Sequence, residues 1–136
     1  MENKDLANYR LDRAKEDLIS AIEALNRKEL RLSNNRAYYS IFHSMRAVLA
    51  LEHKDFKKHS AVIAYFNQYY IKTKLFPSNL HDLISNAEEI RNQSDYDDFY
   101  IAAADETKEQ IESAKLILDL VETYINNQIN NNEVNV

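Results

Sequence analysis

The sequence predicts an all-α protein, an up-down bundle of about five helices. Three observations predict it. The 136 residues include no glycine and one proline. Apolar residues recur at three- and four-residue steps through most of the chain. Hydrophobic residues make up 45% and charged residues 29%, a balance that can build one sizeable core without disulfide support. Glycine is the usual source of left-handed backbone in hairpin turns and of close approach to phosphates. An all-β fold, a P-loop and a dinucleotide fingerprint are therefore disfavoured, and few sharp turns are expected.

The first helix is expected over about residues 3–27, where Leu11, Ala14, Leu18, Ala21, Ile22 and Leu25 form one stripe. The second covers about 33–53, with Ser33 as candidate N-cap. Ala37, Tyr38, Ile41, Phe42, Met45, Val48 and Leu49 surround much of it, so it is the expected central helix. The third covers about 58–73. Its aromatic residues, Tyr65, Phe66, Tyr69 and Tyr70, read as core and interface rather than as a base-stacking platform. Pro77 separates it from a fourth helix, capped by Ser78 and running to about Arg91 or one turn beyond, with Leu80, Leu83, Ile84, Ala87 and Ile90 inward. The fifth covers about 105–129, with Ile111, Ala114, Ile117, Leu118, Val121 and Ile125 inward. Asp105, Glu106 and Glu109 sit at its start, where the helix dipole favours negative charge. A single domain over residues 1–129 is expected, with 130–136 a frayed polar tail.

Composition also bounds the chemistry. With no cysteine, thiolate catalysis and cysteine-ligated zinc are excluded. The net charge of −5 argues against broad non-specific nucleic-acid binding but leaves room for a local basic site. The opening "MENKDLANYR" has no apolar signal segment, and no apolar run approaches the roughly 18–20 residues of a membrane span. A cytoplasmic protein without a membrane role is expected.

Two constellations could carry chemistry. On the second helix, Asn35, Arg36, Tyr39, His43 and Arg46 share one polar face. Two arginines, a tyrosine and a histidine suit a phosphate or nucleotide; the same face could instead meet a partner helix through hydrogen bonds. The second constellation is "EEIRNQSDYDDFY", residues 88–100. Its carboxylates raise a Mg²⁺ or Ca²⁺ site, but the spacing matches no EF-hand, so no metal is assigned. Arg91 and Asp95 could form a structural ion pair. His53, His59 and His81 have no zinc-ligand spacing, and His59 with Ser60 is expected to cap the third helix.

Together, "NRAYYSIFHSMRAVLAL" (35–51), "KKHSAVIAYFNQYYIKTKLFP" (57–77) and "EEIRNQSDYDDFY" resemble the HEPN domain of small stand-alone prokaryotic proteins. The resemblance covers about residues 8–126. It implies a dimerising bundle of four to five helices, often paired with a minimal nucleotidyltransferase in toxin–antitoxin or defence modules. Many relatives are metal-independent endoribonucleases with no cofactor. Their signature is an arginine followed after four to six residues by histidine. The arginine steadies the phosphate, and the histidine moves protons during attack by the 2′-hydroxyl.

This sequence keeps the arginine and lacks that histidine. Counting from Arg91, four intervening residues lead to Tyr96 and six lead to Asp98. The resemblance makes Arg91, Asp95, Tyr96 and His43 the candidate catalytic residues, with Asp95 or His43 as possible substitutes for the histidine. Arg36, Tyr39, Arg46 and Asn92 are the candidate RNA or nucleotide contacts, and Tyr96 or Tyr100 could accept a modification. The alternative is a non-catalytic module that binds a nucleotide or the nucleotidyltransferase. Lys74 stands where relatives place glycine, which points to a turn that tolerates an ordinary residue.

Overall fold

The computed structural model describes residues 3–134, all helix and connecting turns. The elements are α1 (Asn3–Asn26), α2 (Leu30–Ala50), α3 (His59–Phe66), α4 (Leu80–Tyr96) and α5 (Ala104–Val134). α3 runs directly into a π-helical turn, Asn67–Ile71. The α2 helix packs against each of the other four, as its near-continuous apolar surface requires. Its expected core residues, from Ala37 to Leu49, are all buried.

The helices start and stop differently from the expected caps. Ser33 does not cap α2, which begins a turn earlier; its Oγ donates to the Ala21 carbonyl at 2.8 Å. Ser78 does not cap α4 either: Asn79 holds that position without a side-chain hydrogen bond. The α2 helix ends at Ala50 rather than near 53, and α5 continues past 129 to Val134. Residues 135 and 136 of the expected tail lie outside the described residues.

The turns correct a further expectation. Lys28, His53 and Lys74 all take positive φ, at 62°, 58° and 65°. The first two follow α1 and α2, where the backbone N–H groups of residues 28 and 29, and of 53 and 54, turn back onto the last helical carbonyls. These are left-handed helix ends of the kind that glycine usually makes. Lys74 closes the π-helical turn with its N–H on the Ile71 carbonyl at 2.9 Å. Its turn does require left-handed backbone, and lysine accepts the strain.

The seam between α1 and α2 is built from small residues seven apart: Ala7, Ala14 and Ala21 on one helix, Ser33, Ser40 and Ala47 on the other, all with no exposed surface. Ser33 bonds the Ala21 carbonyl and Ser40 the Ala14 carbonyl, each at 2.8 Å, which sets the antiparallel register. Side chains this small let the backbones approach closely enough for serine to reach across. The α1–α2 hairpin is thereby a rigid platform for the polar face of α2.

Candidate functional site

Arg91 sits about three turns into α4, next to the residues Ile84, Ala87 and Ile90 that anchor the helix to the core. Its side chain is 15% exposed. Nη2 donates to the Tyr39 hydroxyl at 2.9 Å, and Nη1 donates to Asn92 Oδ1 at 3.3 Å. Nε lies 2.9 Å from Asp95 Oδ2, one turn on. Its N–H has no aligned acceptor, so this contact is an ion pair and not a linear hydrogen bond. The guanidinium also lies 5.3–5.5 Å from the ring centres of Tyr38, Tyr39 and Tyr96. Each such contact adds about 0.5–1 kcal/mol near a surface. Arg91 is thus held in place before any ligand arrives.

Asp95 receives a second donor, Asn35 Nδ2 at 2.9 Å, which ties α4 to α2. Tyr96 is 72% exposed. Tyr100 differs: its hydroxyl donates to Glu106 and its ring lies under Arg31. Burial, then the bond to Glu106, pushes its pKa up to about 12. Asp97 accepts the backbone N–H of Phe99, a local turn contact. Among the described residues no three acidic or histidine side chains converge in a way that could hold a metal ion.

The polar face of α2 divides along its length. Tyr39 meets Arg91. Arg36 lies over the Tyr39 ring at 5.1 Å and reaches Asp17 of α1 at 3.3 Å. His43 Nε2 stands 3.7 Å from Asp17 Oδ2, beyond hydrogen-bond reach. Burial lowers the His43 pKa to about 4, helped by Arg13, Arg46, Arg36 and Arg10, so the ring is neutral at pH 7 and forms no ion pair there. Burial also raises the Asp17 pKa, against the pull of Arg36 and Arg13. Arg46 bonds Asp55 at 3.0 Å, and the buried Arg10 of α1 bonds the same carboxylate. Burial would raise Asp55, but the two arginines outweigh it and hold its pKa low. Of the expected residues, Arg91, Asp95, Tyr39 and Tyr96 come together with Asn92, and Arg36 borders them. His43 and Arg46 lie further along α2.

Two residues were missed at the sequence level. Arg31 donates to the carbonyls of Ser94 and Tyr100, tying the last turn of α4 to the middle of the α4–α5 connection. His59 does not cap α3, where Lys58 takes the N-cap position without a side-chain bond. Its ring lies on Phe42, centroids 4.0 Å apart, and Nδ1 is 3.0 Å from the Tyr38 hydroxyl. It also lines a cavity of about 390 Å³ with Phe42, Arg46, Asp55, Phe56 and Lys57. The Lys-x-His-Ser run was the available signal.

The fold and this surface define a helical-bundle protein with a tyrosine-framed arginine at the junction of α2 and α4. The HEPN domain model matches residues 7–124, and the chain belongs to the HEPN domain family. It is 31% identical to a UPF0332 protein of Thermotoga maritima, over 91% of this chain and 94% of that protein. It is 25% identical to a Methanocaldococcus jannaschii protein named "Putative toxin", over 85% of this chain and 78% of that protein. A second protein of that organism with the same designation is 32% identical over 61% of this chain and 62% of its own length.

Proposed function

We propose that this chain is the toxin-like member of a two-component module, a cytoplasmic protein that acts on RNA through Arg91. The supporting observation is the fixed placement of the Arg91 guanidinium on three tyrosine rings at the α2–α4 junction. A guanidinium held this way can take a phosphate without first losing side-chain freedom. Tyr39, Asn92, Arg36 and Arg46 would contact the same strand, and Asp95, Tyr96 and His43 are the remaining residues assigned to the chemistry. A second copy would bring a second Arg91 to the same cleft. The partner would be a minimal nucleotidyltransferase, with Tyr96 as the exposed tyrosine open to modification.

The reaction would be attack of the RNA 2′-oxygen on its neighbouring phosphorus. The new P–O2′ bond replaces the P–O5′ bond, leaving a 2′,3′-cyclic phosphate and a 5′-hydroxyl. The test is incubation of total RNA and tRNA with purified protein in a chelator, beside Arg91→Ala and His43→Ala. Cleavage that disappears in Arg91→Ala is the expected result. No cleavage by the folded wild-type protein would overturn it.

One observation favours a second reading, in which the chain only binds a nucleotide or its partner. Asp95 already neutralises Arg91 at 2.9 Å. A ligand phosphate must displace or share that carboxylate. On this reading Arg91→Ala abolishes ligand binding while neither protein cleaves RNA.

A further inference from the structure

The signature histidine is missing from α4, but a histidine from another helix reaches the same tyrosines as Arg91. His59 opens α3 and is joined to Tyr38 by the 3.0 Å contact of its Nδ1. Its ring stands edge-on to Tyr39, centroids 5.7 Å apart. Arg91 covers those same two rings, at 5.4 and 5.3 Å, and donates to the Tyr39 hydroxyl. Tyr38 and Tyr39 are adjacent on α2, so one fixed pair of rings holds the arginine from α4 and the histidine from α3. Tyr38 is buried, so its hydroxyl keeps its proton and acts as a steady neutral partner.

We propose that His59 is the proton-transferring residue of the Arg91 site, replacing the absent α4 histidine. This inference rests on the RNA-cleaving reading above. Proton transfer at Nε2 requires the tautomer in which Nδ1–H donates to the Tyr38 oxygen, leaving the lone pair on Nε2. Nε2 has no protein partner among the described residues and is not sealed from solvent. It takes the proton of the 2′-hydroxyl as that oxygen bonds to phosphorus. The departing 5′-oxygen takes its proton from water, and the hydroxide left behind is neutralised by the imidazolium proton, which returns the ring to its neutral form while the phosphodiester keeps its single charge. Arg91 offsets the charge that gathers on the phosphoryl oxygens.

The surroundings suit a base. His59 faces Arg91 and Glu88 from α4, Arg46 and Tyr38 from α2, and Asp55 and Lys57 across the cavity. Burial first, then Arg91 and Arg46, lower its pKa, while Glu88 opposes them. At neutral pH the ring is therefore unprotonated and ready to accept. His43 lies beside Tyr39, but its unpartnered Nδ1 is sealed from solvent, and Asp95 Oδ2 is already taken by Arg91 and Asn35.

The experiment measures metal-free cleavage of a single-stranded RNA by wild type, His59→Asn and the surface control His81→Asn, with affinity for the 2′-deoxy oligonucleotide. Circular dichroism checks each fold. We expect His59→Asn to lose about 100-fold or more in rate with affinity unchanged, and to lose the acidic limb of the pH profile. His81→Asn should match wild type. Cleavage within threefold of wild type in folded His59→Asn overturns this inference and leaves the RNA-cleaving reading standing. No cleavage by wild type overturns both. If His59→Asn does not fold, the imidazole resonances of the wild type decide. Adding the 2′-deoxy oligonucleotide must shift those of His59, and an unmoved His59 overturns the proposal.

Discussion

A half-buried neutral histidine makes this protein sensitive to acid. His43 titrates near pH 4 in the folded chain and near 6.5 when unfolded. Between those values the unfolded chain binds the extra proton, so stability is full above about pH 6.5 and falls as pH drops toward 4. Asp17 works the other way near the bottom of the window, because its raised pKa lets the folded state take up a proton first. His59 shifts in the same direction as His43 and adds to the acid loss. Replacing His43 by Asn should flatten the curve. Urea midpoints for wild type and His43→Asn at pH 7 and 4.5 should show wild type losing on the order of 2–3 kcal/mol more than the variant. Equal losses would place the acid sensitivity elsewhere. At this scale the sequence disclosed local pairs and concealed distant ones. Arg91 and Asp95 are one helical turn apart, so their pairing follows from spacing. His59 and Tyr38 come from different helices, and only the packing of α3 on α2 brings them together.

Between residues and the whole chain, helix faces were legible and helix ends were not. All six residues assigned to the inner face of α5 are buried, because large apolar groups at helical spacing have one way to face a core. The end of α2 was placed late because no glycine marks it: His53 holds the left-handed position that follows, as Lys28 and Lys74 do elsewhere. A side chain in that region costs roughly 1–2 kcal/mol. Lys74→Gly should therefore raise stability by about 0.5–1 kcal/mol, after the extra freedom glycine gives the unfolded chain is offset. A thermal melt checks this, and a lowered midpoint would refute the strain argument. The α1–α2 seam was also invisible, since alanine and serine carry no strong pattern. Ala14 has no exposed surface and its carbonyl receives Ser40. Ala14→Leu should force the helices apart and cost at least about 1–3 kcal/mol. Ser40→Ala should cost about 1 kcal/mol, the worth of one buried hydrogen bond. Comparable small losses from both changes in denaturant midpoints would mean that the seam is looser than its geometry.

For the molecule as a whole, charge sets how RNA can be held. The net charge is −5, and the arginines on and around the polar face of α2 are already paired: Arg36 with Asp17, Arg46 and the α1 residue Arg10 with Asp55, and the α4 residue Arg91 with Asp95. A strand cannot be gripped by a broad cationic surface. Few phosphates are neutralised, so few counterions are released on binding. For single strands the logarithm of affinity falls with that of salt by about 0.7 per neutralised phosphate. With Arg91 and one or two neighbours engaged, the slope should be about −1.4 to −2. Affinity should then come largely from base contact with aromatic groups such as Tyr96, Phe56 and His59, which salt barely screens. Titration of a 2′-deoxy oligonucleotide at several salt concentrations measures the slope. Arg91→Ala should make it shallower by about 0.7, because one phosphate contact is gone. A slope steeper than about −4 would require a cationic surface that this charge arrangement lacks, and would move the binding face away from the α2–α4 junction.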